Sequence, residues 1–140
     1  MVDQCPRRYT LLVLGDFNAS IGTDRDGYEM CVGPHGSRAV NQNSIKFLDF
    51  ARRHGLRVAG SWFQHRQAHR WTWYSNAGDV AKETDHVLAD GRWRIIQNCR
   101  VYRSAQFLNT DHRLVVATLK LQHKSGTIVP SQPECWQGQG

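Results

Sequence analysis

Three short apolar runs each carry ionisable residues at one end, and that arrangement limits what this chain can fold into. Leu11-Leu12-Val13-Leu14 runs into Gly15-Asp16-Phe17-Asn18. Glu83-Thr84-Asp85-His86 leads straight into Val87-Leu88, and Asp111-His112 opens the run that holds Val115, Ala117 and Leu119. Runs this short, bounded by turn formers, are strands. A sheet that aligns these strand ends brings their carboxylates, amide and histidines together.

The remaining elements follow the same logic. Residues 9–14 read as a buried strand, continuously apolar and ended by Gly15. Residues 19–40 are poor in apolar clusters and read as a long surface loop. Asn43 or Ser44 is placed to cap a helix running to about His54. Phe47, Leu48 and Ala51 share one face, Arg52 and Arg53 suit the C-terminal end of the dipole, and Gly55 stops it. Residues 56–59, 71–75, 84–89 and 95–102 are further strands, with turns at Asn76-Ala77-Gly78-Asp79 and Asp90-Gly91. Residues 113–121 close the series, with Val115, Ala117, Leu119 and Leu121 on one face. One helix among many turn-linked strands predicts antiparallel and mixed sheets in an α/β chain of α+β type. Beyond Gln122 the pattern gives way to Ser, Gly, Gln and Pro. Residues 1–121 therefore form the expected domain, and residues 122–140 an expected disordered tail.

The chain's 140 residues suffice for one domain with a modest core. No apolar stretch reaches the ~18 residues of a membrane span, and the first residues lack the order of a secretory signal. Cys5, Cys31, Cys99 and Cys135 are scattered, which favours a reducing compartment, nuclear or cytoplasmic. The formal charge is +6, carried by fourteen arginines against four lysines. A solvated basic surface explains the charge alone. The preference for guanidinium, which grips phosphate with a planar fork, points to a polyanionic partner.

Hydrolysis of a phosphodiester requires a masked phosphate charge, an aimed and deprotonated water, a stabilised transition state and help for the leaving oxygen. Asp16 is a candidate base. Asn18, two residues on and on the same side of an extended segment, can donate to a phosphoryl oxygen. A cationic His112 can donate to developing charge, Asp85 can orient it, and Asp111 can serve a metal or the water. Each motif taken singly is also an ordinary turn or strand-end cap. It is their conjunction that carries chemistry.

The series Gly15-Asp16-Phe17-Asn18-Ala19, Gly33-Pro34-His35-Gly36, Trp71-Thr72-Trp73-Tyr74-Ser75, Asp85-His86-Val87-Leu88, Arg92-Trp93 and Thr110-Asp111-His112-Arg113-Leu114 resembles the C-terminal half of the endonuclease/exonuclease/phosphatase superfamily. That is the fold of pancreatic-type deoxyribonucleases and apurinic endonucleases. Within it the residues are most like those of non-LTR retrotransposon endonuclease domains and the related craniofacial development protein 2 family. The resemblance covers about residues 9–121. It implies a partial two-sheet, four-layer α/β sandwich and a DNA endonuclease lineage. It further implies Mg²⁺, with Mn²⁺ able to replace it, and DNA rather than RNA as partner. Asp16 would orient or deprotonate the attacking water, Asn18 and His112 would contact the phosphate, Asp85 would hold His112, and Asp111 would belong to the metal network. Thr72 would lie near the substrate backbone. Thr84 stands where relatives often carry isoleucine and Thr110 where serine is commoner, neither with an expected change of role.

The family's first half supplies an early asparagine, a metal-binding glutamate and a tyrosine that have no counterpart here. Complete domains of this type need roughly 200–250 residues. The chain is therefore expected to be half of a sandwich and catalytically incomplete alone. A missing N-terminal half or a partner chain would cover its exposed sheet. Two other functions fit the same residues, a non-catalytic nucleic-acid or protein-binding remnant and a small-molecule phosphatase. Four further signals have structural explanations. His65 and His69 read as a loop rather than a metal pair, and the cysteines lack zinc spacing. Trp62, Trp71, Trp73 and Trp93 suit packing better than base stacking. Arg66, Arg70, Arg100 and Arg103 fit an exposed basic face as well as a nucleic-acid track.

Overall fold

A computed structural model describes residues 2–6, 8–37, 40–91, 93–102 and 110–120. Its central unit is a three-stranded antiparallel sheet in the order β1-β5-β2. β1 spans Leu12–Asp16, β2 Arg57–Val58 and β5 Asp85–Ala89. The 9–14 strand thus lies further along the chain than expected, so that Gly15 and Asp16 belong to the ladder. Its register pairs Leu12 with Ala89 and Asp16 with Asp85. β1 is also less buried than a continuously apolar run predicts, and Leu14 is 66% exposed. The reason is its place at the sheet edge, whereas the apolar Val87, Leu88 and Ala89 of central β5 are all buried.

The helix α1 (Ser44–Arg53) matches its sequence signals. Phe47, Leu48 and Ala51 are buried against Ala19, Ile21, Val32, Leu56, Val58 and Leu88. Gly55 takes a φ of 63° and ends the helix, with its N–H on the Arg52 carbonyl. The 19–40 segment corrects the surface-loop expectation. It has little regular structure, yet Ala19, Ile21, Cys31 and Val32 are core residues. Single bridges from Ile21 to Val40 and from Val32 to Val58 hold it in place. Gly33 packs so closely on the Ser61 carbonyl that no Cβ fits.

A short hairpin joins β3 (Trp73–Tyr74) to β4 (Ala81–Lys82) through a turn in which Gly78 has a φ of 73°. β6 (Ile96–Tyr102) and β7 (Leu114–Leu119) form a second antiparallel pair with a bulge between Ile96 and Asn98. Val115, Ala117 and Leu119 pack with Ala59, Val87, Ile96 and Cys99 into a second apolar cluster. This makes a mixed α/β fold of small antiparallel sheets. Arg92, Arg103, Leu121, Cys135 and the expected tail at 122–140 lie outside the described residues. Among the described residues, no helix is long and apolar enough to cross a membrane.

Candidate active site

The β1–β5 register places Asp16 directly opposite Asp85 at one end of the central sheet. A single backbone bridge, Trp73 to His112, brings the start of β7 to the same end. The Tyr74 N–H donates to the Asp111 carbonyl at 3.0 Å and the Arg113 N–H to the Thr72 carbonyl at 2.7 Å, so His112 is held from both sides. His112 Nδ1 then lies 2.8 Å from Asp85 Oδ2. Its Nε2 faces Asp16 Oδ2 at 3.7 Å and Asp111 Oδ1 at 3.9 Å. Four residues singled out from sequence thus meet at one rim, Asp16, Asp85, Asp111 and His112, and a fifth, Asn18, adjoins them through its backbone N–H on Asp16 Oδ1 at 2.9 Å.

This environment raises the His112 pKa from its ordinary value. The hydrogen bond that Nδ1–H donates to Asp85 is the largest cause, burial opposes it, and the Asp85, Asp16 and Asp111 charges assist. With Nδ1–H committed to Asp85, Nε2 is the nitrogen that can donate to an anionic oxygen in the groove. That groove is lined by Leu14, Asp16, Asp85, His112, Leu114 and Val115.

Ligand atoms of Asp16, Asp85 and His112 lie within 4.8 Å of one another, close enough for one metal ion. Carboxylate oxygens suit a hard divalent cation, while His112 is better used as Asp85's partner. Asp111, the expected metal residue, lies outside that cluster. Its Oδ2 accepts the Trp73 indole N–H at 2.7 Å, so Trp73 is a partner of the site as well as a packing residue.

Thr72 is placed otherwise than expected. It is 1% exposed, and its hydroxyl faces the protein interior. Oγ1 accepts the Thr84 N–H at 3.0 Å and the Asp85 N–H at 3.1 Å. It therefore anchors the start of β5 and has no surface to offer a substrate. The reason is geometric: Thr72 crosses the strand end where two backbone donors lack carbonyl partners.

The other signals resolve into structure. His86 is buried, stacks on Phe47 with 4.8 Å between ring centroids, and bonds the Ala19 carbonyl through Nε2 at 2.6 Å. Burial lowers its pKa, so it is a neutral core histidine. His65 bonds Asn98 and His69 bonds Arg100, while Cys31 and Cys99 are buried in separate apolar clusters. Arg70, a candidate backbone-tracking cation, is buried. It donates to the Gly60 and Phe63 carbonyls and pairs with buried Glu83 at 4.0 Å. Burial, opposed by Arg70, pushes the Glu83 carboxyl up to about 7.

No family model matches the chain. It is 25% identical over 138 residues to craniofacial development protein 2 of Tragulus javanicus, covering 99% of this chain and 23% of that protein. For the Bos taurus protein of the same name the identity is 24% over 130 residues, covering 93% and 21%. The chain thus spans less than a quarter of the length of these curated relatives. Among solved structures it is similar to NExo, a 3′ phosphatase from Neisseria bound to product DNA hairpin. The TM-score is 0.57 at 20% identity, covering 86% of this chain and 49% of that one. The fold of this chain is the α/β, nuclease-like fold of that enzyme.

Proposed function

We propose that this chain belongs to a metal-assisted phosphodiesterase of the endonuclease/exonuclease/phosphatase type that cuts nucleic acid, DNA in preference to RNA, in the manner of retrotransposon endonucleases. The observation that carries the reading is His112, bonded to Asp85 at 2.8 Å through one nitrogen and facing Asp16 at 3.7 Å through the other. An imidazole held this way keeps its proton and offers it to a phosphoryl oxygen. Asp16 orients and deprotonates the attacking water, and Asn18 holds the scissile phosphate. A divalent cation, Mg²⁺ or Mn²⁺, would be held by Asp16 with Asp85 or Asp111, and would neutralise phosphate charge. The fold likeness to a 3′ phosphatase bound to DNA supports phosphoester hydrolysis on nucleic acid, as does the +6 charge.

The reading includes incompleteness. Exposed Leu14 and Leu114 flank the site, and the chain matches 49% of the solved neighbour. A further segment or partner chain covers this face and supplies the remaining metal ligand. The three described cysteines are unpaired, which suits a nuclear or cytoplasmic location.

The test uses supercoiled plasmid and Mg²⁺. The chain alone is expected to nick weakly. Completion with a segment that supplies the missing half is expected to restore nicking, and Asp16→Ala or His112→Ala then to lower it by about 10²-fold or more. A completed domain whose nicking ignores both changes overturns the proposal. The alternative, a remnant that only binds nucleic acid, is favoured by the basic charge. It predicts salt-dependent DNA retention with no cleavage even after completion.

A further inference from the structure

Asn18 is the one non-glycine residue with positive φ among those described, at 49°. Asparagine tolerates that conformation better than most residues, but something must hold it there. Two side chains do. Asn41 Nδ2 donates to the Asn18 carbonyl at 2.7 Å, and Asn43 Nδ2 donates to the same oxygen at 3.0 Å. Asn43 occupies the N-cap of α1, where an asparagine ordinarily turns its oxygen onto a helix N–H. Here it makes no side-chain cap bond. The capping role expected from sequence is given up and the amide is aimed at Asn18.

Asn41 is anchored for the task. Its Oδ1 accepts the Ser20 N–H at 3.1 Å and the Asn43 N–H at 3.2 Å, and its own N–H reaches Ser44 Oγ at 3.0 Å. The Ser44 hydroxyl in turn donates to the Ser20 carbonyl. The end of β1 is thereby tied to the start of α1. On the other side of Asn18, its N–H donates to Asp16 Oδ1 at 2.9 Å. Only Oδ2 of Asp16 is left to face His112.

We propose that Asn41 and Asn43 are positioning residues: by gripping the Asn18 carbonyl they impose its left-handed backbone, and that backbone sets the rotation of the Asp16 carboxylate. This rests on the proposed hydrolytic reading for its consequence, though not for its geometry. Without the two amides, residue 18 relaxes toward extended backbone. Asp16 Oδ1 then loses its donor, and the two groups meant for water and phosphate lose their common orientation.

The test is Asn43→Ser, because serine is also a good N-cap and keeps the start of the helix while being too short to reach Asn18. The φ of residue 18 is read by NMR from its HN–Hα coupling and Cα and Cβ shifts, in the full chain. Asn43→Ser is expected to move residue 18 toward extended values with the unfolding midpoint little changed; Asn41→Ser moves it likewise but also lowers the midpoint, because Asn41 Oδ1 accepts the Ser20 and Asn43 N–H groups. In Asn18→Gly/Asn43→Ser, read from the two HN–Hα couplings and the Cα shift, the left-handed conformation is expected to be recovered in part, because glycine carries no Cβ penalty there. In the completed domain Asn43→Ser lowers the kcat for nicking about tenfold or more at unchanged KM. Unaltered coupling and shifts at residue 18 in both serine variants overturn the inference, whatever the nicking assay gives. Altered geometry in a domain whose nicking ignores Asp16→Ala would overturn the hydrolytic reading and leave the clamp standing.

Discussion

Asp16 and Asp85 face each other directly across the β1–β5 ladder, two carboxylates in register at the end of the sheet. Like charges placed so are destabilising by about 0.2–1 kcal/mol, and His112 lies between them with a nitrogen toward each. The sheet carries this repulsion at the site where chemistry needs both groups.

Asp16→Asn is therefore expected to stabilise the fold while removing function. The asparagine oxygen still accepts the Asn18 N–H, and the cross-strand repulsion is gone. Thermal unfolding at pH 6 and pH 8 measures it. The gain should grow as pH rises through the raised folded pKa of His112, because the proton that offsets the two carboxylates is then lost. A variant less stable than the parent at pH 8 contradicts this account.

The His112 pKa is raised above its ordinary value of 6.5, chiefly by the hydrogen bond it donates to Asp85. Its folded-state pKa is raised, so its stabilising contribution is complete below 6.5 and is lost as pH rises through the folded value. Asp85→Asn should bring the His112 ring titration, followed by NMR, back toward 6.5 and remove that part of the pH dependence of stability. A ring titration unmoved by the change would show that Asp85 is not what holds the proton.

Glu83 behaves in the opposite sense to an ordinary surface carboxylate. Its folded pKa is raised from 4.5 to about 7, so the native state binds the proton more tightly than the unfolded chain. Stability accordingly falls as pH rises from about 4.5 to about 7. Glu83→Gln should flatten that slope in chemical denaturation across the same window. An identical slope in the variant would mean that the Arg70 partnership keeps Glu83 ionised throughout.

Thr72 distinguishes an anchor from a substrate contact. Thr72→Val preserves shape but leaves the buried Thr84 N–H and the part-buried Asp85 N–H without an acceptor, at a cost of about 1–3 kcal/mol for the buried one and less for the other. Thr72→Ser keeps the oxygen and is expected to retain most of the stability. Denaturant midpoints of the two variants decide the matter. Equal stability of the Val and Ser variants would show that the Thr72 hydroxyl does not anchor the start of β5.

Much of this arrangement is local and could be read along the chain. Phe47, Leu48 and Ala51 share a helical face whatever surrounds them, and Gly55 ends that helix through its own backbone freedom. Asp16, Asn18, Asp85, Asp111 and His112 stood out because polar residues at the ends of apolar runs are visible in one dimension. Their convergence depended on register, which pairs residues 69 positions apart. The place of β1 at the edge of the sheet among the described residues, with Leu14 exposed, likewise reflects which strand lies beside it and nothing within residues 9–14.

The sequence by itself determined which side chains stand at the strand ends, since residue type and spacing need no neighbours to be seen. Only the tertiary structure decided their tasks. His86 follows Asp85 in the chain yet turns into the core against Phe47, while His112, 27 residues away, takes the Asp85 bond. Alternate residues of a strand point to opposite faces, so the nearer histidine is carried away from the carboxylate and a remote strand supplies the partner. Asn43 and Thr72 follow the same rule. A cap motif and a threonine become supports of the site because folding sets backbone groups in front of them, the Asn18 carbonyl before Asn43 and the Thr84 and Asp85 N–H groups before Thr72.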